Sequence, residues 1–209
     1  MKQPSSNDTA LLAPPDDLVP PEPNSPPLWR EVVETLLWAL VAFALLRQGV
    51  QNYRVEGPSM QPALRQGQYL VINKLAYRLG TLQRGDIVVF QHPRDARRAL
   101  VKRIVGLPEE EVQIIRGQVH INGQALHEPY IAHPGRDSFQ TTRIGTDHVF
   151  VLGDNRSNSG DSRTWGSLPV RYIIGKVVLC YWPPGDWGVV GHVPPAEAAR
   201  TQSMRTEPR

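Results

Sequence analysis

Cysteine is almost absent from this chain of 209 residues, which has a single one, Cys180. One thiol forms no internal disulfide and no thiolate metal site. Its setting in the apolar stretch VVLCYW is typical of a small buried side chain. The six histidines are scattered singly and no His-Glu-x-x-His motif occurs, so the sequence predicts no metal site.

A strong excess of charge is missing as well. The chain has 23 basic and 20 acidic residues, a net charge of +3. That balance is too mild to indicate a nucleic-acid partner, and no basic cluster is interleaved with aromatic residues. The length suits one medium domain with appendages.

Two familiar nucleophile motifs are missing too. There is no Ser-x-x-Lys sequence, which argues against the pattern of penicillin-binding enzymes. The stretch from Gly57 to Gln61, GPSMQ, departs from Gly-x-Ser-x-Gly at its last position.

Long apolar runs are rare, and the one that occurs lies near the N-terminus. The most apolar part of this run, 32–46, is interrupted by Glu34. As a helix it would be about 22 Å long, which is shorter than the hydrocarbon core of a bilayer, about 30 Å. Counted over 29–50, the helix reaches about 33 Å, so we predict a single transmembrane anchor there, with Arg30 and Glu34 close enough to pair. The alternatives are a buried soluble helix and a cleaved signal peptide ending near Ala44, although cleavage there would fall inside the apolar run.

The rest of the chain divides by composition. Residues 1–28 are proline-rich and residues 194–209 contain little that could form a core, so both are predicted to be disordered tails. Residues 51–193 form the predicted β-rich domain. Arg47, Arg54 and Arg65 follow the apolar run, whereas only Arg30 closely precedes it. This charge bias alone would put the large domain in the cytoplasm.

Short runs rich in Val, Ile and aromatic residues predict strands throughout 51–193. Two-residue turns at Arg116-Gly117 and Asn122-Gly123 predict hairpins. The fold class is therefore mainly β, an antiparallel sheet domain behind one N-terminal helix. The predicted strands are QYLVINKLAY, GDIVVF, LVKRIVGL, EVQII, QVHIN, HVFVLGD and KVVLCYW.

One of these strands, LVKRIVGL, carries two cations among apolar residues. Alternation puts Lys102 on one face and Arg103 on the other, each flanked by apolar neighbours. A buried arginine requires a carboxylate, whereas a buried lysine can stay neutral because burial lowers its pKa. A neutral lysine amine is a general base. The alternative is a lysine that merely extends to water from a strand edge.

Ser59 and the polar loop from Gly153 to Gly166 are the other candidates. Pro58, Pro62 and Gly57 constrain the backbone around a serine that is a weak nucleophile without a base. The loop GDNRSNSGDSRTWG could supply an orienting hydroxyl and carboxylates. Taken singly, an ordinary turn is the simpler explanation of the first stretch and an exposed polar loop that of the second.

Together, GPSMQPAL, GDIVVF, LVKRIVGLP and GDNRSNSGDSRTWG, in this order behind an apolar segment, resemble the type I signal peptidase family over about residues 30–190. The resemblance implies a membrane-bound serine endopeptidase with a Ser/Lys dyad and an antiparallel β fold. It implies that the catalytic domain lies on the extracytoplasmic side of the cytoplasmic membrane, contrary to the charge bias.

The roles implied by the resemblance fall on specific residues. Ser59 is the expected nucleophile, Lys102 the general base and Ser159 the serine that orients the lysine amine. The expected supporting ion pairs are Asp161 with Arg163 and Asp154 with Arg103. Small apolar pockets for an Ala-x-Ala-like site are expected to be lined by Val55, Gly57, Met60, Leu64, Leu100 and Val101.

The resemblance also implies partners and a mechanism. The expected partners are preprotein signal peptides and the lipid bilayer, with no nucleic acid, metal or cofactor, and the expected reaction is acyl transfer through an acyl-enzyme. The chain departs from some members at Gly57, where they have a hydroxyl residue as oxyanion donor, and has Glu109 where glycine is common.

Two rival functions remain open from the sequence. A self-cleaving Ser/Lys regulator shares the catalytic logic, but such proteins cut at Ala-Gly or Cys-Gly and neither dipeptide occurs here. A membrane-tethered β module that binds without catalysis needs neither the lysine among apolar residues nor the constrained serine.

Overall fold

The computed structural model describes residues 27–191 and 196–197. The chain divides into two compact units, residues 1–42 and residues 43–209. The predicted N-terminal tail lies outside the described residues, apart from its last two positions, as does most of the predicted C-terminal tail.

A helix covers the apolar segment near the N-terminus, α1 (Leu28–Gly49). Arg30 Nε donates to Glu34 Oε1 at 3.0 Å, so the predicted pair is present. Within the part of the chain that the structure describes, no helix combines the length and hydropathy that a membrane crossing requires. The anchor over 29–50 stays a prediction.

The second unit is built from antiparallel strands, and the predicted fold class, mainly β, is confirmed. Among the described residues, two short α-helices lie between strands, α2 (Ala76–Leu79) and α3 (Ser162–Trp165). The strands are β1 (Val50–Arg54), β2 (Tyr69–Asn73), β3 (Ile87–His92), β4 (Asp95–Gly106), β5 (Glu111–Ile115), β6 (Gln118–Ile121), β7 (Gln124–His127), β8 (Phe139–Arg143), β9 (His148–Leu152), β10 (Leu168–Pro169), β11 (Ile173–Trp182), β12 (Gly188–Val189) and β13 (Ala196–Glu197).

The strands of the described residues form two sheets. The larger has the order β1-β2-β11-β3-β4-β9-β10, with β12 also paired to β11, and the smaller has the order β13-β7-β6-β5-β8. Each of the seven predicted runs overlaps a strand. A difference lies at the C-terminus, where β13 pairs with β7 inside the stretch predicted to be a disordered tail.

Both predicted hairpin turns are present. Arg116-Gly117 joins β5 to β6 and Asn122-Gly123 joins β6 to β7, and all four residues have positive φ. This is the backbone of a type I′ turn, which matches the twist of the flanking strands. Glu109 also adopts a positive φ of 67°, a backbone conformation that glycine adopts without strain.

Strand β4 positions the candidate site. It pairs with β3 through Val88↔Lys102, whereas its pairing with β9 begins at Arg103↔Leu152. Among the described residues, the second edge of β4 before Arg103 therefore has no strand partner. The apolar side chains around it, such as Val101 and Ile104, are buried in separate core clusters on the two sides of the sheet.

Candidate active site

The segment after β1 carries Ser59 on a tight turn. Gly57 has φ of 79°, a left-handed conformation that glycine adopts without strain. The Gln61 N–H donates to Pro58 O at 3.1 Å, and the Leu64 N–H donates to Met60 O at 2.8 Å. Because Met60 and Leu64 are buried, their side chains fix the turn to the core and leave the serine half-buried at its tip.

Lys102 extends from β4 toward this serine. Its Nζ lies 2.7 Å from Ser59 Oγ, and it also donates to its neighbour's carbonyl, Val101 O, at 3.0 Å. The side chain is 2% exposed. Burial lowers the lysine pKa from 10.5 to about 8, and the charges of Asp161 and Asp154 oppose part of that shift. A substantial neutral fraction is therefore available near pH 8, and a neutral amine at this distance can accept the hydroxyl proton.

Arg103, the next residue along β4, lies on the opposite face and is fully paired. Its Nε and Nη2 donate to the two carboxylate oxygens of Asp154 at 2.9 and 2.7 Å, while Nη1 donates to Gly85 O at 2.9 Å. Both side chains are buried. This bidentate geometry satisfies a charge that β4 would otherwise bury unpaired.

Asp161 and Arg163 form a second pair at the start of α3. Arg163 Nε donates to Asp161 Oδ1 at 2.8 Å, and the Gly153 N–H donates to the second oxygen, Oδ2, at 3.1 Å. Asp161 also caps α3 by accepting from the Arg163 N–H. The buried carboxylate therefore connects the first residue of the loop 153–166 to α3.

Ser159 occupies a different position from the one predicted. Its Oγ is buried and has no hydrogen-bond partner among the described residues, so the predicted contact with the Lys102 amine is not made. It lies instead beside Gly153, where a Cβ would come within 2.2 Å of this oxygen. A role for Ser159 in orienting the lysine stays a prediction.

The residues predicted to bind substrate do not all line the same cleft. Leu100 and Val101 line a cleft of about 330 Å³ together with Ser59 and Lys102. Leu64 lines a separate cavity of about 420 Å³. Gly57 is half-buried on the turn before the serine, and Val55 and Met60 are buried in the core beneath it.

Sequence reasoning missed other residues of the cleft and its support. The cleft is also lined by Tyr53, Glu56, Arg97, Arg98 and Ala99. The backbone N–H of Asn155 donates to Ser59 O at 3.0 Å, and its side-chain amide donates to Pro58 O at 3.3 Å. The polarity of the loop GDNRSNSGDSRTWG singles it out in the sequence. No sequence pattern indicates that its third residue, Asn155, donates hydrogen bonds to the turn that carries Ser59.

A buried pair behind the loop was also missed. The Arg156 guanidinium pairs with Glu128, and both side chains are at most 2% exposed. Tyr130 donates from its hydroxyl to Glu128 Oε1 at 2.7 Å. Glu128 and Tyr130 lie between β7 and β8 in the stretch HEPY, which offers no periodicity or spacing that would single it out.

Comparison with known proteins assigns the chain to a family. The model of the family "Signal peptidase, peptidase S26" matches residues 29–182. "Probable signal peptidase I-1" of Synechocystis sp. is 39% identical over 170 residues, which cover 78% of this chain and 87% of that protein. "Signal peptidase I" of Leptolyngbya laminosa is 37% identical over 183 residues, covering 83% and 89%.

A solved structure of a signal peptidase I from Enterococcus faecalis V583 is 31% identical, covering 46% of this chain and 96% of that one. Its TM-score of 0.41 is too low to establish a shared overall architecture. The sequence matches, in contrast, cover most of the chain, and the relatives are serine endopeptidases. The chain belongs to the signal peptidase family, peptidase S26.

Proposed function

We propose that this chain is a signal peptidase I that removes signal peptides from exported preproteins, cutting after an Ala-x-Ala-like site. Ser59 is the nucleophile and Lys102 the general base. The observation that carries the proposal is the separation of 2.7 Å between Ser59 Oγ and the Nζ of a lysine that is 2% exposed. A binding module would gain nothing from burying an amine against a hydroxyl, since the burial costs free energy.

The reaction begins when the neutral Lys102 amine accepts the Ser59 proton. Ser59 Oγ attacks the scissile carbonyl, and the resulting ammonium returns its proton to the leaving amine as the peptide bond breaks. The amine, neutral again, then activates a water that hydrolyses the acyl-enzyme and regenerates the free serine. The Ser59 backbone N–H supports the developing oxyanion, a contribution of about 3 kcal/mol for one such donor.

The substrate lies in the cleft as an extended segment alongside the second edge of β4, which has no strand partner before Arg103 among the described residues. Addition of a strand to an open sheet edge supplies main-chain hydrogen bonds. Leu100 and Val101 then contact side chains close to the scissile bond, which accords with small apolar residues there.

Helix α1 anchors the enzyme in the cytoplasmic membrane, with the catalytic unit on the extracytoplasmic side. Large apolar side chains from Leu28 to Phe43 are exposed along the helix, including Trp29 and Trp38. In a bilayer these side chains would contact lipid. Protease accessibility of the catalytic unit in intact spheroplasts tests this orientation, and digestion only after lysis would contradict it.

Preprotein cleavage by the full-length protein in mild detergent tests the reaction, with N-terminal sequencing of the mature product. Ser59→Ala and Lys102→Arg should each abolish cleavage, because the first removes the nucleophile and the second leaves a cation that does not deprotonate. For the wild type, kcat/KM should rise about tenfold per pH unit below pH 8 and level off above it, since only neutral Lys102 is active.

The outcomes distinguish the rival functions. Cleavage of the enzyme itself without cleavage of the preprotein would favour a self-processing regulator. Absence of cleavage with retained peptide binding would favour a non-catalytic module. The dyad would be ruled out by turnover of Lys102→Arg comparable to the wild type. A kcat/KM that does not change between pH 6 and pH 9 would rule it out as well.

A further inference from the structure

The second sheet contributes a segment to the back of the candidate site, between β7 and β8. Tyr130 is buried, and its ring centroid lies 4.0 Å from Arg103 Cζ. At that distance a guanidinium interacts with the face of an aromatic ring. Arg103 is thus fixed by Asp154 through hydrogen bonds and by Tyr130 through its ring.

The same segment also pairs with the loop that contacts the serine. The Tyr130 hydroxyl donates to Glu128 Oε1, and Glu128 pairs with Arg156. Arg156 Nε in turn donates to Gly153 O at 3.1 Å. Among the described residues, Arg156 has no other carboxylate partner, and its Nη1 has no hydrogen bond. The position of this guanidinium therefore depends on Glu128.

The loop held in this way contacts the nucleophile directly. Asn155, one residue before Arg156, donates to Ser59 O. Gly153 packs so closely that a Cβ there would lie 2.5 Å from the same carbonyl oxygen. A displacement of Arg156 toward water would shift the contacts that Asn155 and Gly153 make with Ser59 O. The distance from Ser59 Oγ to Lys102 Nζ would then change as well.

We infer that Glu128 and Tyr130 are positioning residues of the reaction, which hold the loop 153–156 against the Ser59 backbone through Arg156 and Arg103. This role rests on the proposed function. Neither residue lines the cleft with Ser59 and Lys102, so they act through the loop and Arg103 rather than on the substrate. Their loss should lower kcat while KM stays nearly constant.

Steady-state cleavage of a preprotein by full-length variants tests this inference. Glu128→Gln leaves the buried Arg156 guanidinium without its paired carboxylate, and should lower kcat by roughly tenfold or more, with KM changed less than about twofold. Tyr130→Phe keeps the ring over Arg103 and should retain kcat within about threefold, whereas Tyr130→Leu removes the ring and should lose about tenfold.

A matched control separates positioning from stability. Glu110→Gln removes the carboxylate partner of Arg84, another ion pair with little exposure, at the turn between β4 and β5. It should lower Tm but leave kcat unchanged. Each variant is assayed well below its own Tm, with near-UV circular dichroism as the measure of folding.

Two outcomes would overturn the inference: wild-type kcat for folded Glu128→Gln, or equal kcat values for Tyr130→Phe and Tyr130→Leu. A Ser59→Ala control in the same assay keeps the two proposals distinct. If Ser59→Ala still cleaves, the proposed function fails. If it is inactive while Glu128→Gln turns over normally, only the positioning role fails.

Discussion

At the scale of single residues, burial of Lys102 provides the neutral amine that a general base requires, but it lowers the free energy of unfolding. Its pKa is about 8 in the folded protein, against 10.5 for a solvated lysine, because burial disfavours the ammonium. Between these two values the unfolded chain binds more protons, so stability rises with pH across the window from about 8 to 10.5. Below pH 8 the Lys102 amine is protonated in both the folded and the unfolded state. Burial of the ammonium then destabilises the folded state by the full amount, roughly 3 kcal/mol.

Lys102→Met should therefore abolish cleavage yet stabilise the fold at neutral pH. The apolar side chain has a similar length and removes the buried ammonium. We expect a Tm at pH 7 several degrees above that of the wild type. The difference should shrink as pH approaches 10, because the wild-type amine is then neutral in the folded state. Thermal unfolding of both proteins at matched pH values measures this difference.

Ser59→Ala is the control for this comparison, because it abolishes cleavage but retains the amine. Its Tm difference from the wild type should not follow the pH window of the lysine. A Lys102→Met protein less stable than the wild type at pH 7 would contradict the assigned cost of burial.

The sequence identifies some of these residues and not others, for physical reasons. Lys102 and Arg103 stand out because strand alternation alone puts a cation among apolar neighbours on each face. Glu128 and Tyr130 do not stand out, since their burial depends on the approach of the second sheet to the loop. Ser159 was matched to a lysine contact through the motif, but the side chain direction depends on packing beside Gly153.

At the scale of elements, the runs that the sequence identifies are those buried in the core. Strand β9, with four of five residues buried, reads as a continuous apolar run. Strand β8 is FQTTR, with four of its five residues exposed, and carries no apolar alternation. Strand β1 is equally polar and is held mainly by its pairing with β2. Tertiary pairing, rather than local pattern, specifies such strands.

The loop 153–166 depends on the close packing of its first residue. A Cβ at Gly153 would lie 2.2 Å from Ser159 Oγ and 2.5 Å from Ser59 O. The Ser159 side chain can rotate away from this Cβ, but the backbone oxygen of Ser59 moves only if the turn carrying Ser59 moves. Gly153→Ala should therefore lower kcat by about tenfold or more and destabilise the protein by about 1–3 kcal/mol.

The same loop provides the matched control for this substitution. A Cβ at Gly160 meets no atom within 4 Å, so Gly160→Ala should leave kcat and Tm near wild-type values. Assays of preprotein cleavage and urea unfolding compare the two alanine variants. Equal effects at both glycines would show that the close approach at Gly153 does not constrain the serine turn.

At the scale of the whole molecule, the candidate site belongs to one of the two compact units. Every residue proposed for the reaction lies within residues 43–209, as do the three clusters of buried apolar side chains in the described part of the chain. The described residues of the first unit, 27–42, contribute none of these groups. A fold that keeps its core and its site in one unit does not require the other for chemistry.

Removal of residues 1–42 should therefore leave a folded enzyme. We expect a Tm within about 3 °C of the full-length value and kcat for a short soluble peptide within about twofold. Cleavage of a preprotein embedded in lipid vesicles should fall more steeply, through a higher apparent KM, because the truncated chain has lost most of the large exposed apolar residues of α1 and, of those described, keeps only Phe43. Loss of near-UV circular dichroism on truncation would show that the second unit depends on the first. Equal cleavage of the embedded preprotein by both proteins would instead remove the proposed role of α1 as an anchor.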